Sequence, residues 1–187
     1  MTESTATPLA IRPQDVVSFW VDAGPQKWFS KNPEFDAEFR VRFEDAHREA
    51  AARRLDGWLD DATGALALMI LLDQFPRNAY RDTAHMYATD PLAQYFAERA
   101  IAAGHDLAVD RQLRPFFYLP FEHAENLAAQ NRAVALMEPV DADSLHWAVL
   151  HRDIIKRFGR FPHRNAVLGR ATTPEEEAFL AGGGFSG

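Results

Sequence analysis

Apolar residues recur along this chain every three or four positions, the spacing of helices laid on a core. Pro13 opens a stretch whose Val16, Val17, Phe19 and Trp20 fall on one side, and Gly24-Pro25 stops it. Asn32-Pro33 predicts an N-cap with proline at the first helical position. Phe35, Phe39, Phe43, Ala46, Ala50 and Leu55 then repeat at helical spacing as far as Gly57. Positions 66–72 are apolar on every side, which predicts a central, fully enclosed helix that Phe75-Pro76 ends. Asp90-Pro91 starts a further helix closed by Gly104, with Leu92, Tyr95, Phe96 and Ile101 inward. A short helix over 111–117 leads to Pro120, where a long one starts and reaches about residue 137. Asp143-Ser144 begins the next, with Trp147, Leu150, Ile154, Ile155 and Phe158 on its inner face and Gly159 at its end. Thr173-Pro174-Glu175-Glu176 has the form of a capping box. Gly182-Gly183-Gly184 closes that last helix, and 182–187 is expected to be a flexible glycine-rich tail.

No stretch alternates apolar and polar residues long enough to predict a strand. The reading is an all-α chain of about eight or nine helices in stacked antiparallel pairs, one domain over 1–181. Composition agrees, with 47% hydrophobic and 25% charged residues in 187. The absence of cysteine excludes disulfides, thiolate metal sites and cysteine nucleophiles. The first residues lack a basic-then-apolar leader, so a cytoplasmic location is expected, away from any membrane. A net charge of −7 argues against nucleic acid as a partner. One segment runs against that charge. Arg152, Lys156, Arg157, Arg160, Arg164 and Arg170 face only Asp153 between residues 151 and 170.

Inside that segment lies a repeated phrase. Phe75-Pro76-Arg77-Asn78 returns as Phe161-Pro162-His163-Arg164-Asn165, and in each case a threonine–proline helix start follows. Two readings apply to the arginines. In one, Arg77 and Arg164 tie loops to carboxylates such as Asp73, Asp90, Glu122 or Asp153. In the other, they converge on an anion, which planar guanidinium groups grip with two parallel hydrogen bonds. Glu122-His123-Ala124-Glu125 is read as a first helical turn, where carboxylates complement the helix dipole. His123 then shares a face with Leu127 and Gln130, and beside Glu125 it is a candidate general base. His151 is expected on an inner helix face, a second candidate base or a core histidine.

No metal or cofactor is expected. Glu44-x-x-His47 is half of a di-iron motif without its other half, and His-Glu-x-x-His is absent. Zinc deaminases share His-x-Glu but need cysteines. Glycine-rich phosphate loops and Gly-x-Ser-x-Gly are also missing.

The phrases Leu71-Leu72-Asp73-Gln74-Phe75-Pro76-Arg77-Asn78, Ala88-Thr89-Asp90-Pro91-Leu92-Ala93 and Phe116-Phe117-Tyr118-Leu119-Pro120-Phe121-Glu122-His123 recur in a bacterial family. So does the block from His151 through Phe158-Gly159-Arg160-Phe161-Pro162-His163-Arg164-Asn165 to Leu168-Gly169-Arg170. The chain resembles that family, domain of unknown function 924, from about Val16 to Leu180. Ala124 departs from it, standing where the family has serine. The resemblance implies a superhelix similar to tetratricopeptide repeats, and no activity. Stacked helix pairs present a concave groove. Arg77, Asn78, Arg81, Arg114, His123, Glu125, His151, Arg160, His163, Arg164 and Asn165 are the candidates to line it. Its expected occupant is an anionic small molecule or an acidic peptide or protein. The rival expectation is an enzyme whose base is His123 or His151 and whose arginines hold an anionic substrate.

Overall fold

The computed structural model describes residues 11–185, and these are helical without a strand. The helices are α1 Pro13–Ala23, α2 Pro25–Trp28, α3 Pro33–Ala51, α4 Ala62–Met69, α5 Phe75–Ala79, α6 Asp90–Ala102, α7 Pro115–Glu122, α8 Leu127–Met137, α9 Ala142–Phe158 and α10 Pro174–Ala181. Among the described residues no helix is long and apolar enough to cross a membrane. Residues 186–187 of the glycine-rich tail lie outside the described residues. Gly184 N–H bonds back to the Phe179 carbonyl, which turns Phe185 against α9.

The caps explain most boundaries. Asn32 accepts the Phe35 amide at 3.0 Å, Asp141 accepts that of Ser144 at 2.8 Å, and Thr173 and Glu176 form the reciprocal box foreseen at α10. Gly159 ends α9 at φ 72°, a backbone that glycine adopts without penalty. Helix α3 stops at Ala51, short of the expected Gly57, because the chain turns left-handed at Arg53. Trp147 and Tyr95, expected inward, are 43% and 40% exposed.

Helix α4 is the centre, its residues Gly64 to Met69 buried against α1, α6 and α7. Gly64 admits the turn before it, since a Cβ there would meet the Trp58 carbonyl oxygen at 2.0 Å. Trp20, Phe39, Phe43, Phe75, Phe116 and Phe121 fill the space around it. Helices α7, α8 and α9 pack successively, and their short connections make them antiparallel. Helix α7 also touches α4 and α9, so this part joins the first, which converges on α4. A smaller cluster of Ile154, Ile155 and Phe161, with Leu150, Phe158, Phe179 and Phe185 against it, closes the C-terminal end.

Two sequence expectations need correction at the breaks between helices. Phe75-Pro76 does not end the central helix. A single π turn, Ile70–Gln74, carries it into α5. Proline has no N–H, and the wider turn sends the Phe75 amide to the Ile70 carbonyl. The released carbonyls find other donors, Leu71 from His47 Nδ1 at 2.8 Å and Leu72 from the Thr89 hydroxyl at 2.6 Å. Nor does one helix run from Pro120. Pro120 lies inside α7, the chain breaks after Glu122, and Asn126 caps α8 by accepting the Ala129 amide at 3.1 Å. Glu122 and His123 therefore stand at a helix C-terminus, not in a first turn. Gln130 reaches back to the orphaned Glu122 and Ala124 carbonyls.

Candidate functional site

The helix breaks bring polar groups together inside the core. Asp73, in the π turn, is enclosed; its Oδ1 accepts from His123 Nδ1 at 2.7 Å and its Oδ2 from Gln74 at 2.6 Å. Arg77, one turn on, sets its fork on Asp90 at 2.9 and 3.0 Å. One arm also reaches the Asp73 carbonyl at 2.7 Å and lies 3.3 Å from Asp73 Oδ1. Asp90 is positioned by the first turn of α6, and Thr89 beside it is tied to the π turn. Burial alone would raise the Asp73 carboxyl; the Arg77 charge and the donated hydrogen bonds outweigh it and keep the group ionised. Asp73 in turn fixes the His123 tautomer. With Nδ1–H committed to the carboxylate, Nε2 carries the lone pair. Burial and the Arg77 charge hold His123 below its ordinary value, so the ring is neutral.

Arg164 arrives from the second phrase, in the turn Pro162–Arg164. It is 6% exposed, stacked with its guanidinium carbon 4.4 Å from the ring centroids of both Tyr87 and Phe161. Among the described residues the one carboxylate within ion-pair distance of it is Asp90, whose Oδ2 lies at 3.5 Å and is already held by Arg77. Among the described residues its Nε has no hydrogen-bond partner, and neither has the neighbouring His163 Nδ1. Burial, then the Arg164 charge, pushes His163 down to about 4.

On the far side, His151 Nδ1 donates to the Trp147 carbonyl at 2.8 Å and lies 3.1 Å from Glu122 Oε1. This is not an ion pair. Burial lowers His151 to about 3, while burial and then the Asp73 charge raise Glu122 to about 8. Both partners are neutral near pH 7, and the helix C-terminus disfavours the Glu122 carboxylate further. The His123 and His151 rings are 6.5 Å apart, and Phe185 rests 4.5 Å from His151 and 5.3 Å from His163.

Arg77, His123, His151, His163 and Arg164 thus share one centre. The other candidates are placed elsewhere. Asn78 and Arg81 both bind Asp36 on α3, at 2.8 and 2.7 Å. Arg160 forks onto Glu176 at 2.6 and 2.8 Å, and Asn165 reaches the same carboxylate at 3.2 Å. Glu125 accepts the Arg170 fork at 2.6 and 2.9 Å and the Phe161 amide at 2.8 Å, which pins the second phrase in place. Arg114 begins α7, its Nε buried without a partner among the described residues. Sequence reasoning named Asp73, Asp90 and Glu122 only as tethers for the arginines, and it did not name Tyr87 or Phe185. A lone carboxylate directly after eight apolar residues was the signal for Asp73. Phe185 gave none. Among the described residues no group of three His, Asp or Glu side chains is arranged to hold a metal ion.

A family model described as a bacterial protein of unknown function (DUF924) matches residues 16–184. The structure of a protein of unknown function, ATU0120, from Agrobacterium tumefaciens is similar, at 61% identity and a TM-score of 0.89. That match covers 90% of this chain and 96% of the other. No curated protein matches.

Proposed function

We propose, for a chain that belongs to the bacterial family of unknown function DUF924, that its polar centre binds a small anion, a carboxylate or phosphate group, through Arg164. The observation that carries this reading is the unfinished coordination of a buried arginine. A guanidinium offers five N–H donors and keeps its charge, so one enclosed without hydrogen bonds of its own is costly. Arg77 already takes both oxygens of Asp90, which leaves Arg164 a 3.5 Å contact and an Nε without a partner among the described residues. A planar oxyanion supplies the missing acceptors. His163 Nδ1, next in the chain and likewise unpartnered, stands ready as a second contact. The depth of Arg164 favours a small molecule over an acidic peptide.

The test is a thermal-shift series on the wild type and Arg164→Met with sulfate, phosphate and small mono- and dicarboxylates. A ligand at a hundred times its dissociation constant adds about 2.7 kcal/mol, a rise of roughly 5–10 °C for a chain of this size. The expected result is a rise in the wild type that Arg164→Met abolishes. A folded wild type that none of these anions stabilises, or an equal rise in the variant, would overturn the reading.

A further inference from the structure

The anion site just proposed is charge-balanced before any ligand arrives. Asp73 and Asp90 face Arg77 and Arg164, while Glu122, His123, His151 and His163 around them are neutral near pH 7. An anion entering this low-dielectric centre brings an uncompensated charge, which a proton taken up nearby would offset. Geometry selects the acceptor. His151 gives its Nδ1–H to Trp147 and lies behind Phe185, and His163 has no carboxylate in hydrogen-bonding contact among the described residues, the Glu125 charge reaching it only from farther off. His123 has one, Asp73 at 2.7 Å on Nδ1. Asp73 is on the inner side with its side chain 1% exposed, whereas the His123 side chain is 14% exposed and is the more accessible of the pair.

Resting on the anion site, we infer that His123 is its proton acceptor and that the chain takes substrates with an O–H or C–H next to an anionic group. In the step, the substrate X–H bond breaks, its electron pair stays on X, and the proton moves to His123 Nε2. The resulting imidazolium is held by the ionised Asp73, and Arg164 faces the negative charge left on X. The same proton, returned to another atom of the substrate or to solvent, completes the cycle without a cofactor. A carboxylate-oriented histidine beside an arginine is the arrangement such proton transfers use. Asp73 touches no substrate and acts as a positioning residue.

Sulfate is the probe, because it carries no proton of its own near neutrality. Calorimetric titration at pH 7.5 in buffers of different ionisation enthalpy counts the protons taken up with each anion. The inference expects about one proton per sulfate in the wild type and close to none in His123→Gln, with binding retained. Nitrogen chemical shifts of the wild-type imidazoles give an independent readout that needs no variant. His123 Nε2 should change from unprotonated to protonated as sulfate is added, while His151 stays unprotonated there. If sulfate binds without proton uptake, or the uptake persists in His123→Gln, the base is wrong and the anion site stands. If sulfate and the carboxylates fail to bind at all, the anion site falls and His123 with it.

Discussion

The two copies of the Phe-Pro phrase are built alike and finished differently. In each, the asparagine amide binds a carboxylate in the first turn of a proline-started helix: Asn78 on Asp36 of α3, Asn165 on Glu176 of α10. Each carboxylate also takes an arginine fork, from Arg81 and Arg160 respectively. The arginines of the two phrases both reach Asp90 and both lie against Tyr87. There the likeness stops. Arg77 rides on a continuous helix and has its fork filled, while Arg164 sits in a turn lengthened by His163 and has no oxygen to itself. The same residues are structural in one copy and poised in the other. One carboxylate cannot satisfy two guanidinium groups.

That difference is broken most sharply by removing each arginine in turn. Arg77→Met leaves the enclosed Asp73 without its arginine and Asp90 with only the 3.5 Å contact of Arg164, and should cost about 3–5 kcal/mol in urea unfolding. Arg164→Met removes a charge on which no hydrogen bond among the described residues depends, so its stability should stay within about 1 kcal/mol of the wild type or exceed it. Equal losses would mean that Arg164 is as structural as its counterpart.

A second test uses pH and the groups between the two copies. Glu122 is raised from 4.5 to about 8, so the stability it lends is complete below pH 4.5 and is lost as pH climbs through 8. His151 and His163 are lowered from 6.5 to about 3 and 4, so theirs is complete above pH 6.5 and is lost on acidification. His47 and His123 shift the same way through burial, and together the histidines outweigh Glu122 on the acid side. Stability should therefore peak near pH 7, where the unfolded-state histidines have released most of their protons. Between there and pH 8 it should fall by about 1 kcal/mol, and Glu122→Gln should flatten that fall while leaving the acid limb in place. An unchanged alkaline slope in the variant would mean that Glu122 is ionised in the fold.

The phrases themselves were visible in the sequence, and so was most of the scaffold, because caps and prolines act locally. Asn32-Pro33 and Thr173-Pro174 need only their next few residues to start a helix. The breaks that build the site were not legible. Pro76 reads as a terminator, and the π turn that absorbs it depends on His47 and Thr89, distant donors that fill the released carbonyls. Asn126 is an N-cap in plain view, but the apolar run through Pro120 masks it. The arginines were recognisable as candidates; which of them is satisfied depends on Asp90, Asp36, Glu176 and Glu125, choices made only in three dimensions.

The asparagines should show where the copies remain equivalent. Asn78→Ala and Asn165→Ala each lose one amide–carboxylate hydrogen bond next to an intact arginine fork, which should cost about 1–2 kcal/mol, and Asn165→Ala should cost more because its Oδ1 also accepts from Arg170 Nε at 3.0 Å. A cost confined to Asn78 would mean that the second copy is only loosely held.

The smallest effect sharpens the contrast in access. Behind the first copy, His47 stacks on Phe75 at 4.9 Å, inside the main core. The histidines of the second copy are covered by Phe185, three glycines beyond α10, which also lies 6.3 Å from the exposed Trp147. Phe185→Ala should cost only about 0.5–1 kcal/mol, the scale of lost aromatic contacts at a half-buried position. Its larger consequence is local. Ethoxycarbonylation by diethyl pyrocarbonate, followed by peptide mass analysis, should accelerate at His151 and His163 and stay unchanged at His47. Sulfate should also associate faster. If His47 accelerates in step, the substitution loosens the whole core, and Phe185 is part of the packing instead of a cover over the anion site.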